Sequence, residues 1–405
     1  MGIDWKAKIE LVSKLYSPTT PIKEEIFFRG RSEQLNKINF AVQETGQHII
    51  IYGDRGVGKT SLANIVGERY RAAINSLVTC NQNSTLSGLW KSIFKRVPIS
   101  IQRYKRIGFQ LIEESENQIQ SITTLADQLD PQREIDIDDI NLILAQANDI
   151  GYKFLFIFDE FDQIKNNKLI ADFSNIIKYS SDHLENITIM IVGIGKSVSD
   201  LIENHHSIER STVQIFLQRM SDRELEEIIS KANIELDMDI NKDVLEQIVM
   251  YSSGYPHYTH LLGKYSTLNS LQRESLHIDC VDFNKAVDQA IENANESIRS
   301  AYEKAVITSK SKSLFPTVLV ACALVKTDEH GTFRLTDIKG VLEKEFDLHK
   351  DLQAYQYHIG KLCTEDRGNI LEKINVSGSL SKYKFSNPLF KSYVILKHYR
   401  NKCDK

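Results

Sequence analysis

Between His48 and Ser61 the chain reads "HIIIYGDRGVGKTS", and no other stretch restricts the fold as much. A run of β-branched residues ends at Gly53, two more glycines follow at Gly56 and Gly58, and the helix-forming run "KTSLANIVGERYRAAI" begins at Lys59. A buried strand that turns straight into a helix brings backbone N–H groups together at the helix N-terminus, where the dipole adds positive potential. The spacing G-x-x-x-x-G-K-[ST] is that of a phosphate cradle. Gly53, Asp54, Arg55, Gly56, Val57, Gly58, Lys59, Thr60 and Ser61 are therefore the expected nucleotide-binding residues. Lys59 reaches the β- and γ-phosphates in this reading, and the Thr60 hydroxyl is placed to ligate Mg²⁺.

A second stretch, "FLFIFDEFDQI" (154–164), supplies the cation's other partner. Five apolar residues run into Asp159 and Glu160, and unpaired carboxylates at the end of a buried strand are costly. In phosphate-loop ATPases an acid at this place holds Mg²⁺, so Asp159 joins Thr60 as an expected metal ligand. Glu160 is placed to orient or deprotonate an attacking water, which favours hydrolysis of ATP over transfer to another substrate. Asp162 reads as a helix-capping or surface carboxylate.

The apolar runs "HIIIY" (48–52), "SLVTCN" (76–81), "FLFIF" (154–158), "ITIMIVGI" (187–194) and "VQIFLQ" (213–218) alternate with helical segments. Uninterrupted apolar strands between helices predict an α/β fold with a parallel sheet covered on both faces. The polar span 100–135 is expected to be helical. After "RMS" the pattern turns all-helical, opening with a capping box at Ser221 and Glu224 and including one helix over roughly 281–308. From Ser313, three helices and two strand-like runs joined around Gly378 follow the plan of a winged helix. The expected units are an N-terminal helix and connector (1–28), an ATPase core (29–220), a helical lid (221–309) and the winged helix (310–405).

With 41% apolar and 26% charged residues the chain fills ordinary globular cores. Its longest apolar run, "TVLVACALV", is too short to span a bilayer, so no membrane role is expected. Five scattered cysteines without a CxxC pair suit a reduced, cytoplasmic setting. Residues 310–405 carry 17 Lys/Arg against 11 Asp/Glu, on a body with 33 against 43. Such a basic end permits DNA contact, and Lys382, Lys384 and Lys391 are the candidate phosphate contacts.

The order "FRGR", "GDRGVGKTS", "FIFDE", a fourth strand, "SIER" and "GYPH" resembles an AAA+ ATPase, nearest the origin-recognition-like and signal-transduction (STAND-like) branch. The resemblance covers about residues 26–300, and a winged helix after it belongs to the same plan. It implies ATP and Mg²⁺ as cofactors and Gly30 and Arg31 beside the base and ribose. It also implies Arg210 as an arginine finger donated to the ATP of a neighbouring subunit in a homo-oligomer. Two positions depart from the family pattern. The fourth strand offers Lys196 or Ser197 where a polar residue, often Asn, positions the catalytic water. The lid offers Pro256 and His257 where an Arg often touches the γ-phosphate. Both departures suit a slow, switch-like ATPase. His205 and His206 read as loop histidines, having no third metal ligand at sensible spacing.

The resemblance implies a subunit that assembles with ATP and acts on DNA or on a separate effector protein, as in bacterial antiphage defence or mobile elements. The alternative is a nucleotide-switched scaffold with little turnover and no DNA binding. A small-molecule kinase or GTPase is disfavoured by the acid pair and by the lack of a guanine-reading N-K-x-D.

Overall fold

The computed structural model describes residues 3–22, 28, 30–70, 73–99, 104–107, 110–113, 123–195, 198–202, 206–307, 313–328, 330–375 and 381–403. The chain opens with helix α1 (Trp5–Leu15), whose start is capped by Asp4: Oδ1 accepts the Ala7 N–H at 3.0 Å.

Five apolar runs then form one parallel sheet: β1 (His48–Gly53), β2 (Ala73–Thr79), β3 (Lys153–Asp159), β4 (Ile187–Ile194) and β5 (Thr212–Phe216). Their spatial order is β2-β3-β4-β1-β5. In β3 the side chains alternate between two cores, with the period of two that a pleated strand imposes. Phe154, Phe156 and Phe158 pack against Trp90, Phe94 and Phe173 from helices α4 (Leu86–Phe94) and α6 (Asn167–His183), with α5 (Ile137–Asp149) beside them. Leu155 and Ile157 face the other way, into Leu62, Val66 and Ile38 of α3 (Lys59–Arg69) and α2 (Ser32–Gln43). With both faces covered, the loops at the C-terminal ends of the strands are where a ligand can be held. Those leaving β1 and β3 flank β4, at the place where the strand order switches.

After β5 come α7 (Asp222–Leu236), α8 (Lys242–Ser252), α9 (Pro256–Gln272), α10 (Cys280–Glu292) and α11 (Glu296–Val306). The single helix expected over 281–308 is two. The Asn293 amide reaches back to the Gln289 carbonyl at 2.9 Å, and this local bond ends α10. The last stretch holds α12 (Phe315–Leu324), a short strand β6 (Phe333–Arg334), α13 (Leu335–Phe346), α14 (Leu352–Leu362), β7 (Leu371–Asn375), β8 (Ser381–Phe385) and α15 (Pro388–Cys403). The three strands pair antiparallel in the order β6-β8-β7, with Leu371 opposite Phe385. Gly378 lies outside the described residues. One continuous core runs from Val12 and Tyr16 through Leu225, Ile229 and Phe283 to Val318, Tyr355 and Leu396.

The polar span 100–135 is not helical where it is described. Tyr104–Ile107 pairs antiparallel with Gln110–Glu113, Pro98–Ile99 pairs with Thr123–Thr124, and Leu125–Gln128 is a single 3₁₀ turn. Tyr104, Ile107 and Ile112 favour extended backbone, and that preference outweighs the polarity of the segment. No described helix is long and apolar enough to cross a membrane.

Candidate nucleotide-binding site

A cavity of about 550 Å³ opens at the C-terminal ends of β1, β3 and β4, a size ordinary for a small-molecule site. Its floor is the turn Arg55–Ser61. Two glycines make that turn possible. Gly53 takes a φ of 152°, and a Cβ there would meet the Leu217 carbonyl oxygen at 2.4 Å. Gly58 takes a φ of 96° as the residue that starts α3.

Lys59 is 9% exposed, and its ammonium donates to the Gly53 and Asp54 carbonyl oxygens at 3.1 and 2.7 Å. Burial pulls its pKa down to about 8, against the opposing pull of the Asp162, Asp159 and Asp54 carboxylates. Asp159 is 4% exposed. Burial pushes its carboxyl up, while hydrogen bonds from the Thr60 hydroxyl and the Glu160 N–H work the other way. The two expected metal ligands are therefore in contact, joined by a hydrogen bond. Mg²⁺ keeps several waters and takes only one or two protein oxygens besides phosphate. A hydroxyl and a carboxylate side by side match that demand.

Glu160 lines the cavity in a left-handed conformation, φ 54° and ψ 35°. Such a backbone costs of order 1 kcal/mol or more and persists only where neighbours enforce it. Here Asp159 Oδ1 accepts the Glu160 N–H at 2.9 Å, and Phe161 is pinned in the aromatic core 5.0 Å from the Phe173 ring centre. Asp162 is neither a helix cap nor a free surface carboxylate. It lines the cavity, and its Oδ1 accepts the Ile194 N–H at 2.8 Å.

The wall opposite the acids is built from distant parts of the chain. The connector Ser17–Ile22 crosses the cavity as a strap. The Ile22 N–H donates to Ser61 Oγ at 3.1 Å, His257 Nδ1 lies 2.6 Å from the Pro18 carbonyl oxygen, and the Ser17 N–H donates to His260 Nδ1 at 3.4 Å. Burial pushes both imidazoles down, His260 to about 4, so both are neutral near pH 7. His257 is thus occupied by the strap rather than free to act as a cation, and Pro256 lines the cavity beside it.

Arg31 lines the cavity but serves as a brace. It is 3% exposed and its Nη2 donates to the Val57 and Gln218 carbonyl oxygens at 3.1 and 2.5 Å, while its N–H donates to Glu224 Oε1 at 3.1 Å. Burial lowers the guanidinium pKa, and the Glu224 charge opposes that. Gly30 stands behind the cavity wall, where a Cβ would lie 3.2 Å from Glu224. Lys196, Ser197 and His205 lie outside the described residues, as does the His206 side chain. Arg210 is exposed and precedes β5. Thr212 pairs with His48 at the far end of β1, so the strand separates Arg210 from the phosphate turn by about 17 Å, at ~3.3 Å per residue. It does not reach the site of its own chain.

Two contacts were not legible in the sequence. Leu389, at the start of α15, lines the cavity. Arg219 lies 3.6 Å from Asp54, stacks 4.8 Å over the buried Tyr255 ring and donates to Thr327 Oγ1 at 3.1 Å. It joins the turn after β1, the start of α9 and the C-terminal unit. The three lysines considered for DNA contact are engaged elsewhere. Lys382 pairs with Asp328 at 2.8 Å, Lys384 pairs with Glu372 at 3.0 Å, and Lys391 is buried beside the Val325 carbonyl.

Residues 28–262 match the model of a family described as an ATPase domain predominantly from Archaea. The chain belongs to this ATPase family. Among solved structures, the Walker-type ATPase PABY2304 of Pyrococcus abyssi superposes with a TM-score of 0.53 at 17% identity, over 94% of this chain and 99% of that one. That likeness is one of fold. The Aeropyrum pernix ORC1 protein, solved in complex with DNA, gives 0.46 at 13% identity over 92% of this chain and 93% of that one. The Thermotoga maritima RuvB Holliday junction branch migration motor gives 0.44 at 14% over 89% and 93%. Neither of these last two superposes closely enough to carry an argument. No curated protein matches the chain.

Proposed function

We propose that this member of the family binds ATP with Mg²⁺ in the 550 Å³ cavity and hydrolyses it slowly. One observation carries the reading: Lys59, the bonded pair Thr60 and Asp159, and the strained Glu160 converge on a single cavity. The turn Arg55–Ser61 holds the phosphates, with Lys59 leaving its two carbonyl partners for them. The connector strap and lid enclose the nucleoside. Thr60 and Asp159 would hold Mg²⁺, which would neutralise charge developing on the phosphates. Glu160 orients a water and accepts its proton.

In this reading residues 29–220 form the ATPase core, 221–309 the lid and 310–405 a winged helix. The exposed Arg210 completes the site of a neighbouring copy, so ATP promotes a homo-oligomer. The assembled subunits act on DNA or on a separate effector. The engagement of Lys382, Lys384 and Lys391 leaves DNA contact to other groups of the C-terminal unit.

A second reading, the nucleotide-switched scaffold, is favoured by the contact of Leu389 with the cavity and by the Arg219 junction. Both tie the C-terminal unit to the phosphate turn, where occupancy would be felt. Sedimentation of the full chain with and without ATP, beside turnover by the parent and Glu160→Gln, separates the two. Hydrolysis predicts turnover that Glu160→Gln lowers by about 10²–10⁴-fold, with oligomers retained. A scaffold predicts ATP binding without turnover. Unchanged sedimentation with ATP would remove the oligomer.

A further inference from the structure

We infer that Asp162 is a positioning residue for ATP hydrolysis, holding the turn that carries Glu160 against the end of β4. The inference rests on the hydrolysis proposed above and assigns the side chain that sets its geometry.

The observations come from both strands. β4 ends at Ile194, an apolar side chain that lines the cavity and has no hydrogen-bonding group. Its N–H is given instead to Asp162 Oδ1 at 2.8 Å, across the β3–β4 boundary. The other carboxylate oxygen, Oδ2, accepts Gln163 Nε2 at 2.8 Å, so both oxygens are engaged. The neighbouring residue in β4 is Gly193. A Cβ there would lie 3.2 Å from both Asp162 N and Asp162 Oδ1, and 2.6 Å from Leu201 Cδ2. Glycine leaves the space that the acid fills.

The consequence falls on Glu160. Its left-handed backbone is held on one side by the bond from its N–H to Asp159 and on the other by the turn 161–163, which Asp162 ties to β4. Without the Asp162 bond the Phe161 ring alone anchors the turn, which shifts against β4 and moves Glu160 from the place from which it addresses a water. A displacement of about 1 Å at a catalytic group can cost about 10²-fold in rate. Lys59 and the phosphate turn stand on β1 and α3, so nucleotide binding is kept; both Asp162 variants remove a carboxylate that favours the Lys59 charge, and any change of affinity should be common to the two.

The test measures turnover and ATP affinity of the full chain for the parent, Glu160→Gln, Asp162→Ala and Asp162→Asn. Asp162→Ala should lower kcat by about 10²-fold, with a KM within about threefold of that of Asp162→Asn, which loses the same charge. Asp162→Asn keeps an acceptor oxygen for the Ile194 N–H and should recover kcat to within about fivefold. Unchanged kcat in Asp162→Ala, while Glu160→Gln is inactive, overturns the inference and leaves hydrolysis standing. Equal damage in the Asn and Ala variants also overturns it, since charge and not the bond would then matter. A parent that binds ATP without turnover sinks the hydrolysis reading and takes this inference with it.

Discussion

At the phosphate end of the cavity, Arg55–Ser61 arrive on one short stretch of chain and Asp159–Asp162 on another. At the connector end, Ser17–Ile22, Phe28, Met220, Ile228, His257, His260 and Leu389 arrive from widely separated segments. The first end is charged and strained, with Lys59 among three carboxylates and Glu160 in a left-handed conformation. The second sets apolar side chains beside the Ser17, Thr19 and Thr20 hydroxyls, and its two imidazoles are neutral. A phosphate grip is a matter of local backbone geometry and can be written in nine residues. The connector end has no such local grammar, since the segments that form it meet only when the chain packs.

Arg31 braces the two ends, and its loss should have the largest effect on stability. Arg31→Ala deprives the buried Val57 carbonyl of this donor and takes one from the part-buried Gln218 carbonyl, at a cost of about 2 kcal/mol. A thermal melt should shift clearly downward, and an unchanged midpoint would show that the ends are held independently.

The phosphate end should also answer to pH. Lys59 has a pKa of about 8 in the empty protein because it is buried, and a bound triphosphate raises it. Binding therefore takes up a proton above pH 8, and affinity should fall as pH rises through 8, by up to about tenfold per unit. A flat affinity profile from pH 7 to 9 would detach Lys59 from the phosphates.

The smallest change is expected at the connector end. His257→Ala loses one hydrogen bond to the strap and should weaken ATP binding about fivefold, or ~1 kcal/mol, with kcat unchanged. If kcat falls instead, His257 works on the γ-phosphate and belongs to the other end.

The same contrast explains what could be read in advance. The β1–turn–α3 unit and the acids closing β3 were legible because strand period, glycine spacing and helix start are neighbours in sequence. Asp162 gives no local sign of its role, because its partner, the Ile194 amide, is 32 residues away. Nothing local marks Arg219, which follows β5 by three residues and meets Asp54, Tyr255 and Thr327 only after folding. Helix α15 lacked an amphipathic pattern because Phe390, Tyr393, Val394, Ile395 and Leu396 bury it on several sides at once. Strand β6, at two residues, is too short for a period to show. The break at Asn293, by contrast, is a side-chain effect that the run "ENANES" carries openly.

Equilibrium binding of labelled ATP with Mg²⁺ to the full chain, parent against Lys59→Ala, addresses the phosphate grip itself. Loss of a buried ammonium that bonds charged phosphate should weaken uptake by about tenfold to a hundredfold, or ~1.5–3 kcal/mol. Equal uptake by the two proteins would mean that the triphosphate does not lie on the Gly53–Thr60 turn.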